Sequence, residues 1–418
     1  MIKAQTLKGF RDFLPPEAKK RQYVISTLKE VFELYGFEPL ETPAIEYEEV
    51  LTGKYGDEGE KLMYKFEDNG KRKVALRYDQ TVPLARVAAQ YQNELILPFK
   101  RYQIQNVWRA ENTQKGRYRE FLQMDVDIIG SSTLLADAET IAVAVKSLET
   151  LGFKNFKVLV SDRKETGYYF KTTFNIPEEK QAFVFRAIDK VMKIGRTGVV
   201  DELVKGGYDK KQAEEIFDGL KTLSIPKNIK EVFNYLQKMG VSEEKYKFDP
   251  FLARGLDYYT GLVFEVDIEG YPAGSIAGGG RYDNLVGIFA DKSIPAVGFA
   301  FGFDRLIEAM EQFNLFPTDL ETTKALIAIS SVDDSDKALK IASELRTNYV
   351  CAEIFLGETS EKNLLEKQLK YADKKQIPYV LIVSDKELIL KDMKNRSQEV
   401  LSMEEVIKKL TACTCGNC

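Results

Sequence analysis

The stretch Val107–Gly130, "VWRAENTQKGRYREFLQMDVDIIG", reads as the end of one strand, a basic loop and a second strand that ends at a glycine. Residues 99–108 form the first strand, and 120–130 alternate polar and apolar positions, as a strand with one face on a core does. By the period of two, one face of the second strand carries Phe121, Gln123, Asp125 and Asp127. A core face should be apolar. The pattern therefore predicts a hairpin that lines a binding site, the alternative being a hairpin with a solvated basic tip.

The chain has 418 residues and no histidine, with 30% charged and 44% hydrophobic residues. This length allows two or three domains and a sizeable core. The absence of histidine excludes Ser-His-Asp and Cys-His nucleophilic schemes, histidine-ligated zinc and imidazole as a general base. An enzyme of this composition must therefore work through positioning, arginines, carboxylates, a cofactor or a metal.

Composition also bears on location and partners. The sequence has no run of 18 or more apolar residues and no N-terminal stretch of signal-peptide length, so we expect a cytoplasmic protein with no membrane partner. Four cysteines are too few and too scattered for a disulfide framework. The net charge of −4 argues against sequence-blind coating of nucleic acid, and we expect no DNA partner. A local basic surface could still meet a phosphate backbone.

Changes of pattern along the chain predict five segments. A strand-rich first part is followed by helices closed by turns, a second strand-rich part, an alternation of strands and helices, and a short tail. The alternation predicts a compact α/β domain with a largely parallel sheet. The predicted segments are 1–164, 165–248, 249–318, 324–410 and 411–418. The tail, "CTCGNC" from Cys413, could hold a soft metal, although a frayed terminus is the favoured interpretation.

A second cluster of polar residues lies in "ALRYDQTVPLAR", where Asp79 and Thr81 are two residues apart. On an extended segment they share one face, and a carboxylate beside a hydroxyl can accept hydrogen bonds from an ammonium group. The alternative is a turn before a helix, with one of the two residues as its N-cap.

The third cluster combines "RGLDYYTG", "AGGGRYD" and "GFAFGFDRL", in which Arg254, Arg281 and Arg305 lie near glycines. Glycine allows close approach of a ligand, and a guanidinium suits polyphosphate. The alternative for Arg254 is a surface ion pair with Asp257. The glycine runs fit neither the Rossmann fingerprint nor the P-loop, so the usual nucleotide motifs are absent. "AGGGRYD" itself is predicted to be a glycine-rich turn.

In these motifs and their order, the chain resembles the histidyl-tRNA synthetase family of class II aminoacyl-tRNA synthetases. "YGFEPLETPAIEY" is similar to class II motif 1, "WRAENTQKGRYREF" to motif 2 and "GFAFGFDRL" to motif 3. "RGLDYYTGLVFE", from Arg254 to Glu265, and "AGGGRYDNL" are similar to the two histidine-specific motifs. The resemblance covers nearly the whole chain, except for the tail after about residue 410. It implies an α+β fold with an antiparallel-sheet catalytic domain, a helical insertion and a C-terminal α/β anticodon-binding domain.

The resemblance also implies roles for individual residues. Arg254 and Arg109 would be catalytic, with Arg109 bridging the amino-acid carboxylate and the α-phosphate. The residues implied to bind histidine are Asp79, Gln80, Thr81, Arg109, Gln123, Asp127, Arg254, Tyr258 and Tyr259. The residues implied to bind ATP are Arg109, Glu111, Arg117, Phe121 and Arg305. No metal ligand is assigned, and residues 112–116 would meet the acceptor end of tRNA.

The implied function is ATP-dependent activation of L-histidine to histidyl-adenylate and its transfer to the 3' end of tRNA(His), by a homodimer. Mg²⁺ would accompany ATP. The amino-acid carboxylate is already ionised, so attack on the α-phosphate needs no protein base, which suits a chain without histidine. One alternative is a non-catalytic, histidine-sensing regulatory subunit of ATP phosphoribosyltransferase; another is a class II enzyme for a different amino acid.

Overall fold

The computed structural model describes residues 2–54, 56–113, 116–254, 258–290, 292–318, 320, 323–357, 363–384 and 387–412. The chain divides into two compact units, residues 1–316 and 317–418. No helix in these ranges is long and apolar enough to cross a membrane.

The first unit contains eleven strands and eleven α-helices among its described residues. The strands are β1 (Glu38–Pro39), β2 (Ile45–Tyr47), β3 (Lys65–Glu67), β4 (Lys73–Leu76), β5 (Phe99–Trp108), β6 (Glu120–Ile129), β7 (Phe156–Asp162), β8 (Tyr246–Phe248), β9 (Leu262–Ile268), β10 (Ala277–Arg281) and β11 (Ala296–Gly302). The helices are α1 (Pro15–Leu34), α2 (Glu48–Leu51), α3 (Gly56–Lys61), α4 (Thr81–Gln90), α5 (Leu134–Thr150), α6 (Arg163–Phe174), α7 (Glu178–Ile188), α8 (Val191–Lys205), α9 (Lys210–Lys221), α10 (Lys227–Lys238) and α11 (Phe303–Gln312).

An eight-stranded sheet is the centre of this unit, in the order β1-β5-β6-β11-β10-β9-β7-β8. The pairs from β5 to β7 are antiparallel, and only the short edge strands β1 and β8 pair in parallel. Strands β2, β4 and β3 form a separate small antiparallel sheet. The antiparallel-sheet fold predicted from the motifs is confirmed.

The two faces of the central sheet differ because side chains alternate along each strand. On β6, Met124, Val126 and Ile128 are buried against α1, α5, α10 and α11. Gln123 and Asp125, the two residues on either side of Met124, point to the opposite face. The sequence pattern of β6 therefore puts an apolar core on one side of the sheet and polar groups on the other.

Four helices, α6 to α9, build a hydrophobic cluster of their own between β7 and β8. Helices closed by turns were predicted between residues 165 and 248, and the structure has α7 to α10 there, with α6 beginning at Arg163. The apolar face of α10 (Ile229, Val232 and Leu236) packs with α5 in the core below the sheet and not with α6 to α9. Phe251, which follows β8, packs on Phe217 of α9 with ring centroids 4.9 Å apart.

The second unit is an α/β domain whose elements begin with a buried strand. Its strands are β12 (Ala325–Ile329), β13 (Ala352–Ile354), β14 (Tyr379–Val383), β15 (Leu388–Asp392) and β16 (Ser397–Val400), and its helices are α12 (Ser335–Thr347), α13 (Leu364–Lys374) and α14 (Met403–Ala412). The sheet order is β13-β12-β14-β15-β16. The first three strands pair in parallel, whereas β15 and β16 add two antiparallel pairs. The prediction of a largely parallel sheet is therefore wrong for strands β15 and β16. They form an antiparallel hairpin that was not predicted from the sequence.

The segment "AGGGR" was predicted to be a turn, but it is the fully buried strand β10. The reason is close packing: a Cβ built on Gly279 would lie 2.1 Å from the carbonyl oxygen of Gly298 on β11. Gly279 is in the middle of the strand and pairs with Phe264 and Phe299. The glycine run thus serves contact between neighbouring strands and not a change of chain direction.

Replacement of Gly279 by alanine is expected to destabilise the first unit, because its methyl group would overlap backbone that cannot move freely. Overpacking of this kind costs about 1–3 kcal/mol in free energy of unfolding. Urea denaturation measures it as a lowered midpoint. Gly302→Ala is the control, since a Cβ there would lie 3.5 Å from the nearest atom, the carbonyl oxygen of Ile276. Equal midpoints for the two variants would contradict this account of β10.

Candidate active site

A cavity of about 360 Å³ lies on the polar face of the central sheet. Its walls come from β6, β10 and β11, from the segment before α4 and from the residues around Arg254 and Tyr259. Twelve of the residues implied to bind histidine or ATP line it: Asp79, Thr81, Arg109, Glu111, Arg117, Phe121, Gln123, Asp127, Arg254, Tyr258, Tyr259 and Arg305. Residues spread over more than 220 positions of the sequence thus meet at one site.

Gln80 is the exception among the implied histidine ligands. Its side chain is fully buried, and Nε2 donates to the backbone oxygens of Gln105 and Gln123 on β5 and β6. Gln80 is not part of the cavity wall, so the structure does not bring its side chain to the other implied ligands, and its contact with histidine stays a prediction. It instead ties the segment before α4 to the β5–β6 hairpin.

Carboxylates gather at one end of the cavity, which we call the acidic end: Asp79, Asp125 and Asp127. Asp127 receives a hydrogen bond from the Tyr282 hydroxyl on Oδ1, and its Oδ2 lies 2.8 Å from a guanidinium nitrogen of Arg101. A Cβ on Gly298 would lie 1.9 Å from Oδ1 of Asp127, so only glycine leaves room for this carboxylate. The neighbouring strand is therefore shaped around Asp127.

Burial dominates the electrostatics of the acidic end. It raises the pKa of Asp125 well above the usual range, although Arg101 opposes the shift. Burial also raises the pKa of Asp127, where the charge of Arg101 and the Tyr282 hydroxyl favour the ionised form. The pKa values of Tyr258 and Tyr282 are raised well above 10 by burial. Both hydroxyls are therefore protonated donors at neutral pH.

The segment before α4 supplies Asp79 and Thr81, which are both nearly buried. Oδ1 of Asp79 accepts the backbone N–H of Val82 at 3.1 Å. The two interpretations of Asp79 from the sequence, helix capping and ligand binding, are therefore compatible. Asp79 accepts a hydrogen bond from the first turn of α4 and also presents a carboxylate to the cavity. The helix fixes the position of the carboxylate.

At the other end of the cavity, Arg109 lies between two aromatic rings. Its guanidinium carbon is 4.4 Å from the ring centroid of Tyr78 and 5.2 Å from that of Phe121, and Nε donates to the Tyr78 backbone oxygen at 3.0 Å. Such cation–π contacts hold a guanidinium in place while leaving its outer N–H groups for a ligand. Arg109 is thus oriented before any substrate enters.

Glu111, Arg117 and Arg305 lie near the mouth of the same end. Arg117 and Glu111 form an ion pair of 3.4 Å that is partly exposed to solvent. Arg305, in the first turn of α11, donates to the backbone oxygen of Ser275 at 2.9 Å. These groups offer two cations and a carboxylate acceptor beside the Phe121 ring.

Arg254 lies across β10 and pairs with Glu265 of β9, Nη1 to Oε1 at 2.8 Å. A Cβ on Gly278 would lie 1.8 Å from Nη1, so this glycine allows the guanidinium to cross the strand. The backbone of Arg254 has φ of 53°, a left-handed conformation that costs a non-glycine residue about 1–2 kcal/mol. The preceding segment is anchored on the helical insertion, because Ala253 and Phe251 pack in its core.

Arg281 was grouped with Arg254 and Arg305 as a candidate for polyphosphate, and the structure corrects this. Its guanidinium forms a nearly buried ion pair with Asp137 of α5 and also pairs with Asp283 at 3.1 Å. Further N–H groups donate to the backbone oxygens of Ser131 and Thr133. Arg281 is not part of the cavity wall and joins α5 to the sheet.

Sequence reasoning missed Arg101, Tyr282 and Glu265. Arg101 and Asp127 are directly opposite each other on β5 and β6, so the register of the hairpin would have found this pair. Tyr282 follows β10 and Glu265 lies on β9; both were quoted within motifs but given no role. Tyr282 and its partner Asp127 are 155 positions apart in the sequence. Arg254, the partner of Glu265, lies outside the strands and reaches Glu265 across β10.

Several expectations fall outside the described residues. These are the possible partner Asp257 of Arg254, Lys115 in the loop after β5, and the cysteines Cys413, Cys415 and Cys418. Of the cysteines within the described ranges, Cys351 is free and exposed.

The mixed sheet, with this arginine-lined cavity on its polar face, defines a class II aminoacyl-tRNA synthetase. A model of the family described as histidyl-tRNA synthetase matches residues 9–306, and one described as anticodon binding domain matches residues 324–412. A protein of Cytophaga hutchinsonii named histidine–tRNA ligase is 37% identical to the chain, with 98% of this chain and 100% of that protein covered. The chain belongs to the histidyl-tRNA synthetase family.

Solved structures agree with this assignment. The crystal structure of histidyl-tRNA synthetase from Nostoc sp. PCC 7120 has a TM-score of 0.85 and 30% identity, covering 99% of this chain and 100% of that chain. A structure from Bacillus halodurans, described as an ATP phosphoribosyltransferase regulatory subunit/histidyl-tRNA synthetase, has a TM-score of 0.74 and 22% identity, covering 92% of this chain and 100% of that chain. At that identity it shows the fold alone.

The raised pKa of Tyr282 makes the stability of the protein depend on pH in alkali. Above pH 10 the unfolded chain loses the phenolic proton while the folded chain keeps it, so stability falls as pH rises. Tyr282→Phe should remove this contribution, making the fall between pH 10 and 11 shallower by up to about 1.4 kcal/mol per pH unit. Denaturant midpoints measured at each pH test this. Tyr168→Phe, at a residue that is 66% exposed, is the control and should keep the wild-type slope.

Proposed function

We propose that the protein activates L-histidine with ATP to form histidyl-adenylate and transfers the histidyl group to the 3' end of tRNA(His). The observation that carries this proposal is one cavity with carboxylates at one end and Arg109 and Phe121 at the other, with Arg254 on its wall. Such a cavity offers partners to an ammonium group and a polar ring, then to a carboxylate and phosphates, and finally to a flat base. Family membership and relatives named histidine–tRNA ligase support it.

The amino acid occupies the acidic end in this proposal. Asp79, Thr81 and Gln123 receive the α-ammonium group, since all three line the cavity and Oε1 of Gln123 has no hydrogen-bond partner among the described residues. Asp127 accepts the N–H of the imidazole ring, and a hydroxyl of the Tyr258–Tyr259 pair meets the other ring nitrogen. A site whose buried polar groups need those partners rejects side chains that lack them.

ATP occupies the arginine-rich end. Phe121 stacks on the adenine ring, Glu111 accepts its amino group, and Arg117 and Arg305 neutralise the β- and γ-phosphates. An incoming phosphate would replace the weak, partly exposed contact between Arg117 and Glu111. Arg109, oriented by its two aromatic neighbours, bridges the α-phosphate and the amino-acid carboxylate.

In the first step, a carboxylate oxygen of histidine attacks the α-phosphorus, and the bond from that phosphorus to the bridging oxygen of pyrophosphate breaks. No proton moves, because the carboxylate is already ionised. Negative charge builds on the α-phosphate, where the fixed guanidiniums of Arg254 and Arg109 stabilise it. In the second step, a ribose hydroxyl at the end of the tRNA attacks the carbonyl carbon of the adenylate, the bond from that carbon to the phosphate oxygen breaks, AMP leaves with that oxygen, and the hydroxyl proton is released to solvent.

Mg²⁺ is proposed to accompany ATP, as magnesium usually does. The described residues contain no group of three His, Cys, Asp or Glu side chains placed to hold a metal. Glu265, the acid beside Arg254, already has both oxygens engaged, by Arg254 and by Ser275. We therefore name no ligand of the ion among the described residues and assign it no reaction step.

Contacts with tRNA are proposed for two parts of the chain. The second unit, whose residues 324–412 match the anticodon-binding family, would read the anticodon. The loop of residues 112–116 would meet the acceptor end, because it connects β5 to β6 in the sequence and its last residue, Gly116, lines the cavity. We also propose that the enzyme works in the cytoplasm, where protein synthesis supplies its substrates.

A homodimer is proposed from the small sheet of β2, β4 and β3. Ile45, Tyr47 and Phe66 leave 47%, 53% and 44% of their surface exposed there, which a second copy of the chain could cover. Sedimentation equilibrium should give twice the monomer mass, and a monomer at micromolar concentration would rule the dimer out.

The alternative function is a histidine-sensing regulatory subunit of ATP phosphoribosyltransferase, as in part of the description of the Bacillus halodurans structure. The chain carries the anticodon-binding domain and a cavity with Arg109, Arg254 and Arg305, which a sensor that catalyses no adenylation would not need. These features favour the ligase.

ATP–pyrophosphate exchange tests the proposed function. We expect exchange that depends on L-histidine and not on the other nineteen amino acids, because the acidic end is built for a ring with one N–H donor and one acceptor. Histidine binding without exchange would support the sensor instead. Exchange with another amino acid would point to a different class II specificity.

Arg254→Ala should lower the rate of adenylate formation by roughly 10² to 10³, the scale for loss of one preorganised charge donor. Arg254→Lys should restore little, because a point charge does not reproduce the planar fork. Pre-steady-state formation of adenylate measures both, while transfer from preformed adenylate should change much less.

The control is Arg196→Ala, which removes an exposed arginine that pairs with Asp218 outside the cavity. Its rate of adenylate formation should equal that of the wild type. If Arg254→Ala stays within about threefold of the wild type, less than ~1 kcal/mol, the role of this arginine is structural.

A further inference from the structure

Arg101 has no exposed surface and is not part of the cavity wall, yet its charge lies directly behind the acidic end. It projects from β5 opposite Asp127 of β6, with Nη2 2.8 Å from Oδ2 of Asp127 and 3.9 Å from Oδ2 of Asp125. Nη1 donates to Gln103 at 3.2 Å. A fully buried guanidinium is costly to desolvate, and a hydrophobic residue of similar size would often be as stable. Fold stability alone therefore does not account for an arginine here.

The position of Arg101 decides the charge that the cavity presents to a ligand. Asp125 and Asp127 both line the cavity, and both are nearly fully buried. Two ionised carboxylates with one guanidinium would leave a net charge of −1, which favours a cationic side chain. One ionised and one protonated carboxylate with the same guanidinium leave no net charge, which favours a neutral one.

The surroundings of the two acids indicate which carries the proton. Asp127 has Arg101 on one oxygen and the Tyr282 hydroxyl on the other, and both contacts stabilise an ionised carboxylate. Oδ1 of Asp125 and Oδ2 of Asp127 are both buried without a hydrogen-bond partner among the described residues, but the Arg101 guanidinium lies 2.8 Å from Asp127 and 3.9 Å from Asp125, and the Tyr282 hydroxyl bonds to Asp127. Burial also raises the pKa of Asp125 well above its usual range, in agreement with this asymmetry. The remaining charge that acts on both acids is Asp79, from the segment before α4; its negative charge raises the pKa of each and therefore favours a proton on the pair without choosing between them.

We propose that Arg101 is a positioning residue that makes the Asp125–Asp127 pair electrically neutral, so that the site selects the uncharged form of the imidazole ring, while Asp79 remains the partner of the α-ammonium group. Arg101 keeps Asp127 ionised and aimed at the ring N–H, while Asp125 stays protonated beside it. The neutral ring has one N–H donor and one lone pair, and these match Asp127 and a tyrosine hydroxyl. Cationic side chains such as those of lysine and arginine would meet no net negative charge and would be rejected. The inference rests on histidine being the ligand, as proposed above.

The charge of the bound ring is measured directly by nitrogen-15 NMR of ring-labelled L-histidine bound to the full-length protein. A neutral ring gives two widely separated nitrogen signals, whereas an imidazolium ring gives two similar ones. We expect the neutral pattern for the wild type at pH 7.5. Calorimetric affinity for histidine should fall roughly tenfold from pH 7.5 to 5.5, because free histidine, whose ring pKa is about 6.5, must lose a proton to bind.

Variants separate the role of Arg101 from a purely structural one. Arg101→Met keeps the length of the side chain but removes its charge, and the bound ring should then become imidazolium at pH 7.5. Arg101→Lys keeps a charge and should retain the neutral ring, even if affinity falls. Asp125→Asn imitates a protonated carboxyl and should also retain it. ATP affinity should be unchanged in all three, since the other end of the cavity is untouched.

Two controls guard against other causes. A histidine analogue with a triazole ring, which stays uncharged between pH 5.5 and 7.5, should bind the wild type with no change across that range. If Arg101→Met does not fold, the wild type and Asp125→Asn still decide the question.

An imidazolium ring in the wild type or in Asp125→Asn, or a neutral ring in Arg101→Met, would overturn the inference while leaving the ligase function intact. A wild type that binds no histidine at all would instead overturn the proposed function. A purely structural Arg101 would weaken histidine and ATP binding together without changing the charge of the bound ring.

Discussion

A guanidinium with no exposed surface lies 2.8 Å from a carboxylate beneath the candidate active site, and much of the site depends on this contact. Arg101 and Asp127 are opposite each other on β5 and β6, so the ion pair requires one register of the hairpin. A shift by one residue would turn Met124 and Val126 towards the cavity and put the acids into the apolar core. The same pairing therefore maintains the core on one face of the sheet and the cavity on the other.

Glycines on β10 and β11 also shape the site that the β5–β6 hairpin lines. Large charged side chains can lie flat on a sheet only where the strand beneath them has no side chain. Gly278 leaves that space for Arg254, and Gly298 leaves it for Asp127. The central strands thus give up the packing that side chains would provide, and helices on the opposite face supply the hydrophobic core instead.

Much of this arrangement can be predicted from the sequence, and the parts that cannot share a physical reason. The period of two along β6 indicated its polar face, and the spacing of motif residues indicated the cavity. The glycine run of β10 was interpreted as a turn, since nothing local reveals that Gly279 packs against the backbone of β11. The pair Arg281–Asp137 was missed for the same reason, since it joins elements whose proximity depends on the sheet order. Arg101–Asp127 lies within the predicted hairpin and required only its register. Gln80 lies between two cavity residues in sequence, yet its side chain turns to the backbone of the hairpin.

The segment that ends in Arg254 leaves the sheet after β8 and rests on the helical insertion, where Phe251 packs on Phe217. The helical insertion is therefore structurally linked to the cavity. Its aromatic core supports Arg254, which lines the cavity. The strained backbone of Arg254 depends on that support to keep its conformation. A chimera that exchanged α6 to α9 with those of a distant relative would therefore inherit the cavity without the support of one of its walls.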